Sequence, residues 1–306
     1  MVTPGTWGAS GGSADDMRLT ILHETRYSYE RPVRFAPHRL LVRPRDSHAI
    51  RVTEASLSFS PHGRTHWTFD AMGNSVCWLA VEGESDRLTI VSELVIERFP
   101  APLSPLRVDD PQTVTPIVYD TADRPVLAPF IEPITQDPEG RLVKWLKEMI
   151  GRSDEPALDF LLRLNAAIHG TFGYQVRFEE GCQEPAHTVA LGVGTCRDFA
   201  WLMVEALRRL GFAARFVTGY LYAPGITHVR GAGATHAWCE VFLPDLGWIE
   251  LDPTNGLAES PDLIPVAVAR TPADAAPIRG AILGDGGAST LDVHVDVRPT
   301  EFTPAA

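Results

Sequence analysis

Gly192-Val193-Gly194-Thr195-Cys196-Arg197-Asp198-Phe199-Ala200 is the stretch on which the reading of this chain turns. Thr195 and Asp198 have the spacing of a capping box, in which hydroxyl and carboxylate satisfy the free amides of a helix start. The N-cap therefore falls at Thr195. A helix is predicted from there to Arg209 or Leu210, with Gly211 as its stop. Cys196 becomes the first helical residue, beside amides that have no intrahelical acceptor and the positive end of the dipole. Such a setting favours a thiolate, and the same amides suit a developing oxyanion. Gly192 and Gly194 would let a substrate carbonyl approach closely. A small buried cysteine at a helix start is the bland alternative, and this stretch alone leaves both open.

Downstream, Thr235-His236-Ala237-Trp238-Cys239-Glu240-Val241 reads as a strand with His236, Trp238 and Glu240 on one face. Cys239 points to the other face, which makes it a poor rival nucleophile. Gly247-Trp248-Ile249-Glu250-Leu251-Asp252-Pro253-Thr254-Asn255 follows, with Trp248, Glu250 and Asp252 on one face. A hairpin symmetric about Pro244 would pair Phe242 with Leu246 and set His236 directly opposite Asp252. Opposed side chains have Cβ atoms roughly 5 Å apart. Asp252 could then hold one imidazole nitrogen while the other faces a thiol. The remaining histidines show no metal-ligand spacing, and no C-x-x-C pair occurs among Cys77, Cys182, Cys196 and Cys239. No metal site is expected.

Around this centre the organisation is as follows. Residues 1–16 are rich in Gly, Ser and Ala and read as a disordered tail without signal-peptide features. Residues 17–105 read as an N-terminal β domain. Leu19, Ile21, His23, Thr25, Tyr27 and Tyr29 alternate onto one face, and Asp70-Ala71-Met72-Gly73-Asn74 is a turn between apolar runs. The prolines between Pro100 and Pro138 suggest extended linker. Residues 106–306 form the second unit. Helices are expected over Arg141–Ile150 and after Pro156, then strands over Ala213–Tyr222, Thr235–Leu243 and Trp248–Asp252, and a C-terminal strand over Thr290–Val297. The net charge of −12 argues against nucleic acid and anionic membranes as partners. No apolar run approaches the roughly 20 residues of a membrane span, so a cytoplasmic location is the expectation.

Taken together, G-x-G-x-C-R-D-F-A at Gly192–Ala200, H-A-W-x-E-V at His236–Val241 and G-W-x-x-x-D-P-T-N at Gly247–Asn255 resemble the bacterial transglutaminase-like superfamily, within the papain-like group. Leu19–Tyr29 and the Asp70–Asn74 turn resemble the β domain that precedes this core in bacterial members. Val266–Gly280 resembles a further family segment, with Ala269-Arg270-Thr271 where Gly-Arg-Asp is usual. The resemblance implies an α+β fold, a helix bundle packed on an antiparallel sheet after a small β sandwich. It implies a Cys196–His236–Asp252 triad that attacks an amide or ester carbonyl of a protein or peptide, passes through a thioester and requires no metal or organic cofactor. Hydrolysis and transamidation both remain open, as does a catalytically silent scaffold for protein binding. Tyr174, Gly194 and Trp238 are secondary candidates for oxyanion or substrate contacts. Asp198 reads foremost as a cap, Arg197 as a salt-bridging or substrate-steering residue, and His228 and Glu240 as surface or structural groups.

Overall fold

The computed structural model of the chain describes residues 17–99, 113–150, 155–177, 179–222, 230 and 233–300. The expected tail at 1–16, His228 and several of the linker prolines lie outside these residues. Six strands come first: β1 (Met17–Phe35), β2 (His38–Arg43), β3 (Ile50–Ser60), β4 (Gly63–Phe69), β5 (Ser75–Val81) and β6 (Glu84–Arg98). Helices α1 (Arg124–Ile131), α2 (Arg141–Met149) and α3 (Ala157–Thr171) follow. Next are β7 (Gly173–Tyr174), α4 (Pro185–Leu191), β8 (Val193–Gly194) and α5 (Cys196–Arg209). The chain continues with β9 (Ala214–Leu221), β10 (His236–Leu243), β11 (Gly247–Asp252), β12 (Leu257–Ala258) and β13 (Leu263–Ala269). It closes with β14 (Ile278–Arg279), β15 (Ile282–Leu283) and β16 (Ser289–Pro299).

The N-terminal strands form two antiparallel sheets, as the alternation along β1 requires. Leu19, Ile21, His23 and Thr25 are buried, and the residues between them are not. One sheet has the order β15-β1-β6-β3, with β16 also on β1; the other has the order β14-β2-β5-β4. Val33, Phe35, Leu40, Val42, Cys77, Leu79, Leu88 and Ile90 fill the space between them. The β14–β16 segment therefore does not extend the second unit, as a boundary at residue 105 implied. It returns to complete both N-terminal sheets; of the strands after β12, only β13 joins the core sheet. The two units share apolar surface. Leu19, Ile21, Ile50 and Ile96 pack against Tyr220, Tyr222, Ile264 and Val266. His23 lies in this seam, its Nδ1 3.0 Å from the Tyr220 hydroxyl. Burial lowers its pKa to about 4, so it is neutral there.

The core sheet has the order β12-β11-β10-β9-β13 and is antiparallel throughout. Helix α5 lies on it, with Ala237, Cys239, Val241 and Leu243 facing the helix cluster. Every residue of α5 from Asp198 to Arg208 is buried. Three of these are charged, Asp198, Glu205 and Arg208, and all are matched: Glu205 pairs with Arg208 at 3.1 Å and with Arg209 at 2.8 Å, and it accepts from the amides of Ile134 and Thr135, while Asp198 pairs with Arg177. The proline-rich stretch departs from the extended linker expected. Arg124–Ile131 is helical, with Pro125 in the first turn, where its missing N–H costs nothing. Leu127 and Phe130 are buried against Ala213.

Candidate active site

Cys196 opens α5, after Thr195 in an extended N-cap conformation (φ −97°, ψ 177°). The Asp198 carboxylate accepts from the Thr195 amide and the Thr195 hydroxyl, both at 2.9 Å. Asp198 does more than cap. It is fully buried and also accepts from Arg177 Nε at 3.2 Å, Arg177 Nη2 at 3.0 Å and the Gln183 amide at 2.7 Å. Burial opposes its ionisation, but these donors hold its carboxyl below the usual range. The turn that presents Cys196 is thereby fastened to residues 177–183. Arg197 donates to the carbonyls of Arg177 and Glu179, at 3.4 and 2.6 Å.

The two glycines also have backbone and packing tasks. Gly192 takes φ +69° and ends α4, its amide bonded to the Thr188 carbonyl. A Cβ on Gly194 would lie 3.0 Å from Asp198 Cβ and from the Phe199 ring. Gly194 is thus favoured by the packing of α5.

His236 and Asp252 meet, although not through the expected register. Phe242 pairs with Trp248 and Leu243 with Gly247, so Asp252 stands one diagonal step from His236. The shift is two residues, which keeps both side chains on one face. Its cause is the turn. The Leu246 amide bonds to the Leu243 carbonyl, and Gly247 at φ +77° supplies the left-handed position that closes a three-residue hairpin loop. Diagonal neighbours remain within reach, and His236 Nε2 donates to Asp252 Oδ2 at 2.9 Å. A carboxylate can only accept, so Nε2 carries a proton. Nδ1 is buried with no closed hydrogen bond, which leaves it for Cys196. Burial lowers the imidazole pKa, but Asp252 and then Cys196 outweigh it, and the pKa is raised. A loose nucleophile–base contact is common before substrate binds.

Asp252 is fully buried and held from several directions. Its Oδ1 accepts from the Thr254 amide at 2.9 Å, and its Oδ2 from Asn255 Nδ2 at 2.9 Å. Burial raises a carboxyl pKa, yet His236 and these donors leave this one lowered. The Asn255 carboxamide also grips the backbone of Arg230. Its Oδ1 accepts the Arg230 amide at 3.1 Å, and its Nδ2 reaches the Arg230 carbonyl at 3.3 Å. Sequence reasoning passed over both residues, although Asn255 ends the quoted D-P-T-N stretch.

Of the secondary candidates, Tyr174 pairs with Gly194 in the short parallel ladder beside the nucleophile. Burial first, then the neighbouring Cys196, pushes its hydroxyl pKa up to about 12, so it keeps its proton near neutral pH. Trp238 does not line a cleft. It is fully buried, its Nε1 donates to Glu250 at 3.2 Å, and its ring stacks on His236 with centroids 5.9 Å apart. It backs the imidazole and has no donor to spare. Glu240 is paired with Arg215. Among the described residues no cluster of three His, Cys, Asp or Glu side chains is placed to hold a metal ion.

Known proteins resemble this chain in sequence and in fold. Residues 19–97 match the model for the bacterial transglutaminase-like N-terminal region, and residues 144–253 match the transglutaminase-like superfamily core. The protein Rv2569c of Mycobacterium tuberculosis is 30% identical over 93% of both chains. The chain belongs to the transglutaminase-like superfamily. A further superfamily relative, the Mycobacterium leprae protein ML0607, is 27% identical over 92% of this chain and 98% of its own. The fold has a solved counterpart in a candidate cysteine protease from Cytophaga hutchinsonii. That structure has a TM-score of 0.71 at 21% identity, over 95% of this chain and 94% of that one.

Proposed function

We propose that this transglutaminase-like chain is a cysteine-nucleophile enzyme that cleaves or transfers amide acyl groups of proteins or peptides. The observation that carries the reading is the buried imidazole. It is fixed through Nε2 to Asp252 and leaves Nδ1 for a cysteine on the first turn of a helix. The Cys196 sulfur attacks the carbonyl carbon, and the oxygen takes the negative charge. Amides at the start of α5, which have no intrahelical acceptor, stabilise that oxyanion. The Tyr174 hydroxyl is a second donor beside them. Collapse of the tetrahedral species breaks the C–N bond, and the imidazolium gives its proton to the departing amine. Water or a second amine then attacks the thioester, His236 takes the incoming proton, and the thiolate is released. Asp252 stabilises the imidazolium and fixes its orientation throughout.

The first test is the rate of iodoacetamide labelling at Cys196, read by peptide mass spectrometry in the native protein and in His236→Ala. Near pH 6 an imidazolium beside the sulfur should make the native rate at least about tenfold faster. Equal rates in the two proteins would remove the catalytic reading and leave a scaffold.

A further inference from the structure

We propose that Arg230, pinned by Asn255 to the catalytic carboxylate, is a substrate-recognition residue that selects acyl donors bearing a carboxylate beside the scissile amide. The inference rests on the proposed function and names its substrate class.

Arg230 is held at both of its backbone polar groups. One carboxamide, Asn255, engages both its backbone N–H and its backbone C=O, and the same carboxamide donates to Asp252. The Arg230 Cα is therefore placed relative to the triad itself. Its guanidinium is spent on little: among the described residues its one bond is from Nη1 to the Thr254 carbonyl, at 3.5 Å. No carboxylate among the described residues forms an ion pair with it. That is notable in a chain with 39 acidic and 27 basic side chains.

The carboxylates nearer the nucleophile are already matched. Asp252 serves His236, and Asp198 serves Arg177, with Glu179 3.6 Å from the same arginine. Arg197, next to Cys196, is also without an ion pair among the described residues, and its buried Nε has no acceptor. Tyr174 pairs with Gly194 beside the nucleophile, and Arg197 and Arg230 both act electrostatically on its hydroxyl, which agrees with two guanidinium groups near the acyl site. A guanidinium with free, coplanar N–H donors is matched to a carboxylate, which it can take in a bidentate pair. Two sources offer that group, a Glu or Asp side chain and a peptide C-terminus.

The test uses three probes, Ac-Ala-Ala-Glu-NH2, Ac-Ala-Ala-Gln-OH and Ac-Ala-Ala-Gln-NH2, and asks which of them slows iodoacetamide labelling of Cys196. The readout needs no turnover. Failure of the catalytic reading, seen as labelling independent of His236, is thus distinct from failure of this one. Protection by either charged probe, weakened about tenfold in Arg230→Gln, restored only in part by the charge of Arg230→Lys and reduced by salt, supports the proposal. The first probe would identify a side-chain carboxylate and the second a C-terminal one. The Gln and Lys variants leave the bonds of Asn255 to the Arg230 backbone in place. Equal protection by the neutral probe, protection unchanged in Arg230→Gln, or no protection by any probe would overturn it.

Discussion

At the scale of single residues, the assignment of Cys196, His236 and Asp252 rested on chemistry that admits few residue types. A thiol at a helix start, an imidazole and a carboxylate on matching strand faces are uncommon together; the chain sets the thiol at the helix start and joins the imidazole to the carboxylate. What surrounds them was not legible, since hydrogen-bond partners depend on distances that a sequence does not hold. Glu250 is the clearest case. It faces Glu240 directly across β10 and β11 and receives the Trp238 indole N–H. Burial, then repulsion by Glu240, raises its carboxyl pKa from 4.5 to about 8. A carboxyl whose pKa is raised on folding binds more protons in the folded state, so stability falls as pH rises from about 4.5 to 8. Glu250→Gln keeps the acceptor for Trp238 and removes the charge. We expect it to stabilise the protein by roughly 2 kcal/mol at pH 9 and to change little at pH 5. Thermal melts of both proteins at the two pH values check this. A substitution equally neutral, or equally harmful, at both would remove Glu250 as the source.

At the scale of elements, the strong periodic segments fell where they were read. Helix α2 runs over Arg141–Met149 and α5 over Cys196–Arg209, each within a residue of its expected bounds. The errors share a physical origin. The β10–β11 register slipped by two because Gly247, and not Leu246, closes the loop; a proline followed by a glycine three residues on was the available signal. Helix α1 was hidden by its own prolines. Pro125 is harmless in a first turn, while Pro129 forfeits an internal bond that burial of Leu127 and Phe130 offsets. For α5 the capping box predicted where the helix begins but not how much depends on Asp198. Asp198→Ala removes the cap and strands Arg177, whose side chain is only 19% exposed. The expected loss is about 2–4 kcal/mol, more than the roughly 1 kcal/mol of an ordinary cap. Urea denaturation measures it. A loss of 1 kcal/mol or less would reduce Asp198 to a cap alone. Cys196 labelling should slow in the same variant, because the turn presenting the sulfur loses its fastening.

At the scale of the whole molecule, two units were expected in sequence order, and the chain instead interleaves them. Strand β16 pairs along β1 from Leu19–Pro299 to Tyr29–Ser289, more than 250 residues apart. Such pairing leaves no local mark, since each strand alone shows only its alternation. Three further links join the units. The Asn74 carboxamide exchanges two hydrogen bonds with the Val268 backbone, at 2.7 and 2.9 Å. Arg98 donates to the Leu263 carbonyl at 2.8 Å. The apolar seam around Tyr220 and Ile264 cannot stay dry if either unit opens. Val295 adds a link to the site itself: its amide bonds to the carbonyl of Gly233, three residues before His236. Unfolding one unit would therefore expose the other's buried faces and withdraw a support beneath the triad. The expected outcome is a single calorimetric transition whose measured and van't Hoff enthalpies agree. Truncation after Ala288 removes β16, uncovers the edge of β1 and should lower the midpoint of the entire transition, core included. Two separated transitions, with only the first moved by the truncation, would show instead that the N-terminal sheets are an appendage. In that case Cys196 labelling should survive the loss of β16, whereas coupled units predict that it falls with the melting temperature.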